Sequence, residues 1–137
     1  MIRSYWRLAG VAVALPVFLV ACDISTPLQP VNHSPEVRAL SVFPATIGLG
    51  DSAIVTCEAT DADGDTVVYD WSSDCRMLKK GDNFGYLTLY NRLDHSLVVY
   101  ATPCNRAPLD TGWVSCEVRD GRGGGAYAGT VRIVVRQ

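Results

Sequence analysis

The stretch Cys57–Trp71, CEATDADGDTVVYDW, decides the fold. It begins in a run of alternating apolar and polar residues, passes through an acidic turn, and ends in a segment where Val67, Tyr69 and Trp71 share one face. Such alternation is typical of half-buried β-strands. A second cysteine, Cys116, lies far downstream in another strand-like run. A cysteine on one strand, a tryptophan on the next and a later strand cysteine together predict a small disulfide-linked β-sandwich.

Short strand-like segments separated by turn residues continue on both sides of this stretch. The predicted third strand ends at Trp71. The other predicted strands are Glu36–Phe43, Ala53–Thr60, Phe84–Tyr90, Leu97–Thr102, Trp113–Arg119 and Ala126–Val135. That makes about seven strands, and no segment has a convincing helical period. We therefore expect an all-β, antiparallel sandwich over residues 36–137.

Four cysteines of this domain are expected to form two disulfides. Cys57 and Cys116 fall on inward positions of their strands, from which a bridge joins two sheets; closing a loop of roughly 60 residues would contribute around 4 kcal/mol on the chain-entropy estimate. Cys75 and Cys104 remain, both in irregular segments, although four cysteines allow three connectivities. A zinc site is disfavoured because the sequence has no C-x-x-C pair.

The amino-terminal residues have the pattern of a targeting segment. Arg3 and Arg7 precede the apolar run Leu8–Ala21, which is shorter than the roughly 20 residues that cross a bilayer. The run ends in Leu19-Val20-Ala21-Cys22, which resembles the lipobox of bacterial lipoproteins. This resemblance implies a cleaved signal peptide over residues 1–21 and lipidation of Cys22. The alternative is an ordinary signal peptide followed by a chance cysteine.

Residues 22–35 are rich in proline and polar residues, and we interpret them as a flexible tether between lipid and domain. Signal cleavage would remove two of the 12 basic residues and none of the 14 acidic ones, taking the formal charge from −2 to −4. An acidic chain with no basic stripe argues against a nucleic-acid partner. The expected location is the bacterial cell envelope, with the domain in the periplasm or at the cell surface.

Three motifs give the domain a family resemblance. Cys57–Asp65, Tyr69-Asp70-Trp71 and Val118–Gly124 are similar to PKD and related bacterial immunoglobulin-like domains, as is the Asn-x-x-Pro segment Asn32–Pro35. The resemblance covers about residues 32–136 and implies an immunoglobulin-like sandwich. It departs from the PKD pattern after Trp71, where Ser-Ser-Asp-Cys replaces the usual Gly-Asp-Gly.

The acidic turn is a candidate metal site. Some PKD-like domains hold calcium with this turn and the amino-terminal segment, so the resemblance implies Asn32, Asp61 and Asp63 as ligands. Clustered oxygens suit a hard cation. The alternative is a solvent-exposed turn in which the aspartates bond their own backbone and Gly64 adopts a left-handed conformation. No other cofactor is expected.

No catalytic constellation is recognisable. His33 lies in the tether and His95 beside Asp94 in a turn, and no nucleophile or zinc motif accompanies them. A hydrolase is kept only as an alternative class.

Three aromatic residues form a candidate binding surface: Trp113 should face away from the core, and Tyr100 and Tyr127 are placed on outer surfaces. Such residues stack on sugar rings or bury against a protein, although Trp113 is equally able to cover its own sandwich. The sequence thus favours a non-catalytic, lipid-anchored envelope protein that works by binding or structural display. The alternatives are an accessory subunit of a larger envelope assembly and a glycan-binding adhesion module.

Overall fold

Nine β-strands and no helix occur in residues 30–80, 86–104 and 110–136, which are the residues that the computed structural model of the protein describes. The strands are β1 (Glu36–Phe43), β2 (Thr46–Gly48), β3 (Ser52–Thr60), β4 (Val68–Ser73), β5 (Met77–Leu78), β6 (Thr88–Arg92), β7 (Ser96–Ala101), β8 (Thr111–Arg119) and β9 (Gly125–Arg136). The predicted signal peptide, Cys22 and most of the tether lie outside the described residues.

The strands form two sheets that pack face to face. A four-stranded sheet has the order β1-β3-β7-β5, and a five-stranded sheet has the order β2-β9-β8-β4-β6. All neighbours are antiparallel except β2 and β9, which run parallel. The expectation of an all-β sandwich is confirmed, whereas the purely antiparallel pairing was wrong at β2. Strands β2 and β5 were not predicted, because two or three residues are too few to show an alternating pattern.

The core is the layer of apolar side chains between the sheets. Strand β3 buries Ala53, Val55 and Cys57 while its intervening residues face outward, as the sequence alternation predicts. At the centre, Trp71 is 1% exposed and stacks on Tyr69 with a ring-centroid distance of 6.4 Å. Burying large aromatic and branched side chains is the main favourable contribution to a fold of this size.

The two expected cysteine pairs differ in whether they are bonded. Cys75 and Cys104 form the expected disulfide. Cys57 and Cys116 are buried free thiols, so the predicted bridge between the sheets is absent. The two thiols do meet across the interior, and the hydrogen bond with Cys57, together with burial, raises the pKa of Cys116. The alternating strand pattern predicts that Cys57 and Cys116 face each other, but it does not determine whether their sulfurs are bonded. The sandwich therefore forms through packing around Trp71 without that cross-link.

The two ends of the sandwich have different construction. Pairing of Glu36 with Thr60 and of Val68 with Arg119 brings the start of β1, the acidic turn and the β8–β9 turn to one end. We call this the tether end; it comprises residues 32–36, 60–67 and 119–125. The opposite end carries the Cys75–Cys104 bridge. We call it the disulfide end; it comprises residues 74–78, 101–104 and 110–112.

Candidate functional site

The acidic turn between β3 and β4 is the candidate metal site. Asp61, Asp63 and Asp65 each offer a carboxylate oxygen within 4.8 Å of the others. One oxygen of Asp61 accepts the backbone N–H groups of Asp63 (2.8 Å) and Asp65 (3.1 Å). Gly64 has φ of +76°, the left-handed conformation that the turn requires and that glycine adopts without strain. The turn thus has the self-bonded geometry that the sequence offered as the alternative to a metal site.

Residues from outside the turn form hydrogen bonds and an ion pair with its carboxylates. Asp63 accepts a hydrogen bond from the backbone N–H of His33 (2.6 Å) and lies 2.9 Å from its ring Nδ1. These contacts raise the pKa of His33, chiefly through the side-chain hydrogen bond, and lower the pKa of Asp63. Asp65 forms an ion pair of 3.1 Å with Arg122. The negative charge of the three aspartates is therefore partly compensated by Arg122 and, when it is protonated, by His33, both of which are distant in the sequence.

The residues that the resemblance implies as calcium ligands make different contacts. The side chain of Asn32 donates to Asp120 (2.7 Å), which also accepts the backbone N–H groups of Arg122 and Gly124. Asp61 and Asp63 lie in the acidic cluster, where Asp65 supplies a third carboxylate. The calcium ligand set therefore stays a prediction, while the observed contact of the Asn32 amide joins the start of the domain to the β8–β9 turn.

Two oxygens of the cluster have no donor among the described residues. Oδ2 of Asp61 and Oδ2 of Asp65 are both buried from solvent. Buried carboxylate oxygens are normally hydrogen-bonded or coordinated. Of the three aspartates, Asp61 and Asp65 therefore fit a hard cation better than Asp63, whose two oxygens contact His33.

The residues considered for catalysis are held apart. His33 contacts Asp63 at the tether end, whereas His95 is exposed in the turn between β6 and β7. The backbone carbonyl of His95 accepts the N–H of Cys57 at 2.8 Å. Asp94, its sequence neighbour, pairs with Arg92 at 3.1 Å. The two imidazoles thus belong to separate parts of the surface.

The aromatic residues divide between the two sheets. Trp113 (38% exposed) and Tyr127 (66% exposed) lie on the outer face of the five-stranded sheet, as the prediction for Trp113 requires. Tyr100 is half-buried on the outer face of the four-stranded sheet, because it pairs with Ser52, whose side chain also points outward. The structure therefore places two of the three predicted surface residues on the same sheet face.

A row of hydroxyl groups, not anticipated from the sequence, crosses the same outer face between Trp113 and Tyr127. Its members are directly opposite one another on β6, β4, β8 and β9: Thr88, Ser72, Ser115 and Thr130. The hydroxyls of Ser72 and Ser115 are 2.6 Å apart, and the same distance joins those of Tyr127 and Thr130. Strand register, which the sequence leaves open, decides this alignment.

Comparisons with known proteins provide little guidance. No family model matches the chain, and no curated protein sequence matches it either. One similar solved structure is the Pseudomonas fluorescens alkylpurine DNA glycosylase AlkC bound to DNA containing an abasic site analog, with 13% identity and a TM-score of 0.49. The match covers 78% of this chain and 32% of the glycosylase chain. At this level of similarity it supports no conclusion about activity. In the described residues, no helix is long and apolar enough to span a bilayer.

Proposed function

We propose that this chain is a non-catalytic, lipid-anchored cell-envelope protein whose immunoglobulin-like, PKD-like sandwich works by binding. The first strands support the fold class, since β1 belongs to one sheet and β2 to the other. The packing of Trp71 in a core that also contains Cys57 and Cys116 is in keeping with it. The lipid anchor rests on the sequence alone, on Leu19-Val20-Ala21-Cys22 after a basic and apolar segment.

The observation that carries the proposal is how the chain enters the sandwich. Near the end of the predicted tether, Asn32 and His33 are hydrogen-bonded to Asp120 and Asp63 in two different turns. The chain is thereby fastened to one end of the domain. A lipid at Cys22 would hold the molecule by its tether end, leaving the disulfide end and both outer sheet faces free for a ligand.

The anchor is tested by changing its acceptor. We expect the full chain expressed in a bacterium to fractionate with membranes and to carry fatty acid on Cys22, and Cys22→Ala to move to the soluble fraction. Cys57→Ala, which removes a buried thiol, is the control and should stay with membranes if the variant folds. Membrane association of Cys22→Ala, or an unmodified Cys22 in the mass spectrum, would overturn the anchor.

A glycan ligand is the candidate favoured by the outer face of the five-stranded sheet. Trp113 provides an apolar ring surface, and Thr88 and Thr130, the exposed members of the hydroxyl row, provide donors and acceptors for sugar hydroxyls. Retention on envelope polysaccharide should fall at least tenfold in Trp113→Ala. The matched control is Phe43→Ala, which removes a 79%-exposed aromatic ring from the opposite sheet. Equal retention of the two variants would exclude this ligand class.

Calcium is proposed for the acidic turn with a revised ligand set. The free oxygens of Asp61 and Asp65 would bind the ion, and its charge would compensate their burial. Calcium should raise the melting temperature of the wild type but not of Asp61→Asn. Magnesium at the same concentration tests for a general ionic effect. An equal rise in both proteins would show that the turn binds no specific ion.

A further inference from the structure

A groove lies at the side of the sandwich where β6 of one sheet faces β7 of the other. It has a volume of about 290 Å³, and its apolar wall includes Trp71, Leu89 and Leu97. Polar and charged side chains form its rim: Lys79, Lys80, Arg92, Asp94 and Ser96. This groove is distinct from the hydroxyl row, which lies on the outer face of the five-stranded sheet.

The rim concentrates positive charge on an acidic protein. Lys79 and Lys80 are the only lysines of the chain, whose formal charge is −2. Arg92 is already paired with Asp94 at 3.1 Å. Among the described residues, neither lysine forms an ion pair, and both side chains are exposed at the rim. The charge at the groove therefore complements a carboxylate-bearing ligand.

The wall of the groove holds a hydrogen-bond donor without an acceptor. Trp71 is 1% exposed, and its indole N–H has no partner in the described part of the chain. An indole nitrogen only donates, and a buried donor is normally satisfied. Because this nitrogen has no contact with solvent, the Trp71 ring contributes apolar surface to the groove wall, and its N–H signal reports on an occupant of the groove.

The groove also runs along an open strand edge. Strand β7 pairs with β5 only at Tyr100 and Ala101. Over Ser96–Val99, the described residues place no strand on that side of β7, while β3 pairs with its other side. Backbone N–H and C=O groups at such an edge are available to an added strand.

We propose that this groove binds an extended, carboxylate-bearing peptide segment of a partner protein, which pairs with the edge of β7 over Ser96–Val99. Its apolar side chains contact Leu89 and Leu97, and its carboxylates face Lys79 and Lys80. A free small anion would use the lysines but neither the strand edge nor the apolar wall. The inference rests on the proposed binding function and identifies the partner as protein.

The test uses the full chain and a seven-residue peptide of alternating glutamate and valine. Trp113→Phe leaves Trp71 as the only tryptophan after residue 6, so its indole N–H is identifiable by NMR. Reductive methylation with ¹³C labels both lysines and preserves their charge. We expect the peptide to shift the Trp71 indole signal and both lysine signals. Lys79→Glu/Lys80→Glu should weaken binding at least tenfold, and a proline-substituted peptide, which cannot pair with an edge, should weaken it similarly.

The controls separate this site from general attraction. Arg132→Glu/Arg136→Glu makes the same charge change on β9, from +2 to −2. Strand β9 lies two strands away from β4 and three from β6 in its sheet, so this variant should bind like the wild type. Equal binding of an alternating lysine–valine peptide, unchanged binding in the double lysine variant, or equal binding of the proline peptide would overturn the proposal. So would shifts produced by acetate alone, or a concentration-dependent dimer that buries the groove. Failed peptide binding with Cys22-dependent anchoring intact would contradict the groove proposal and leave the proposed function standing. Loss of Cys22-dependent anchoring would contradict the proposed function alone.

Discussion

The tether end and the disulfide end both join loops that are distant in sequence, but they do so through different interactions. At both ends an aspartate accepts backbone N–H groups of a turn: Asp120 from Arg122 and Gly124, and Asp74 from Arg76 and Trp113. At both carboxyls, burial acts to raise the pKa and the hydrogen-bond donors act to lower it. At Asp120 the donors, led by Asn32, outweigh burial and lower the pKa, whereas at Asp74 burial prevails and the pKa is raised.

The two ends differ in whether a covalent bond holds their loops together. The tether end joins loops distant in sequence by hydrogen bonds and by the Asp65–Arg122 ion pair. The disulfide end joins them by Cys75–Cys104, with the hydroxyl of Thr102 donating to the carbonyl of Cys75 at 2.8 Å. We expect salt to weaken the first end and reductant to weaken the second.

The largest expected effect is removal of the disulfide by Cys75→Ser/Cys104→Ser. The bridge closes a loop with a sequence separation of 29, which corresponds to about 3.5 kcal/mol of unfolding free energy on the chain-entropy estimate. Urea unfolding measures the loss. Amide exchange should rise at Thr102, whose N–H donates to the carbonyl of Arg76, while Gly124 at the other end stays protected. Equal loosening of both ends would contradict the separation drawn here.

A second comparison uses one glycine from each end. A Cβ at Gly112 would lie 2.7 Å from Cγ of Met77, a fully buried side chain, so Gly112→Ala should cost about 1–3 kcal/mol by overpacking. Gly123 has φ of +103° and no atom near its Cβ position, so Gly123→Ala should cost about 1–2 kcal/mol through backbone strain.

Met77→Ala distinguishes the two causes. Combined with Gly112→Ala it should recover part of the loss, because it removes the clashing atoms. Combined with Gly123→Ala it should be additive, because the sites share no contact. Chemical denaturation of the three single and two double variants gives the coupling energies, and additivity at Gly112 would count against the overpacking argument.

The two aspartates should give opposite pH dependences. Asp120 has a folded-state pKa below its ordinary 3.8, so its stabilisation is present above that value and is lost as pH falls through the folded pKa. Asp74 has a raised pKa, so its contribution is present below 3.8 and is lost as pH rises through the folded pKa. Melting temperatures between pH 2 and 7 should show that Asp120→Asn weakens the acid limb and Asp74→Asn flattens the loss above pH 3.8. The reverse assignment would refute the comparison.

The smallest expected effect concerns His33. Its contact with Asp63 raises its pKa above 6.5, so the stabilisation is fully present below pH 6.5 and is lost as pH rises through the raised value. The pair is exposed, and salt should screen it. An NMR titration of the His33 ring should show its pKa falling toward 6.5 in Asp63→Asn or in high salt. An unchanged titration would mean that the contact is not maintained in solution.

Much of the sandwich was predictable because burial imposes a two-residue period on a strand. The bounds of Glu36–Phe43 were predicted as observed, and the inward positions of β3 and β8 were also correct. Strands β2 and β5 escaped prediction because they are too short to show a period. The parallel pairing of β2 with β9 depends on contacts between residues about 88 positions apart, which no local pattern reports.

The candidate sites were predictable only in part. The acidic turn was recognisable from Asp61, Gly64 and Asp65, since local backbone bonding determines its shape. The hydrogen bond between Asn32 and Asp120 was not predictable, because the two residues are 88 positions apart. Lys79 and Lys80 carried a signal, as the only lysines of the chain, but their position beside a strand edge depends on how the sheets pair.

The sequence by itself determined the all-β class, the faces that strands β3 and β8 bury and the cysteines available for cross-links, because each follows from local spacing and residue chemistry. Only the tertiary structure decided that Cys75–Cys104 is bridged while Cys57 and Cys116 stay thiols, that Asp65 joins Asp61 and Asp63, and that a basic groove borders the open edge of β7. The physical reason is that these outcomes depend on strand register and on distances between residues far apart in the chain, which the packing of the two sheets fixes.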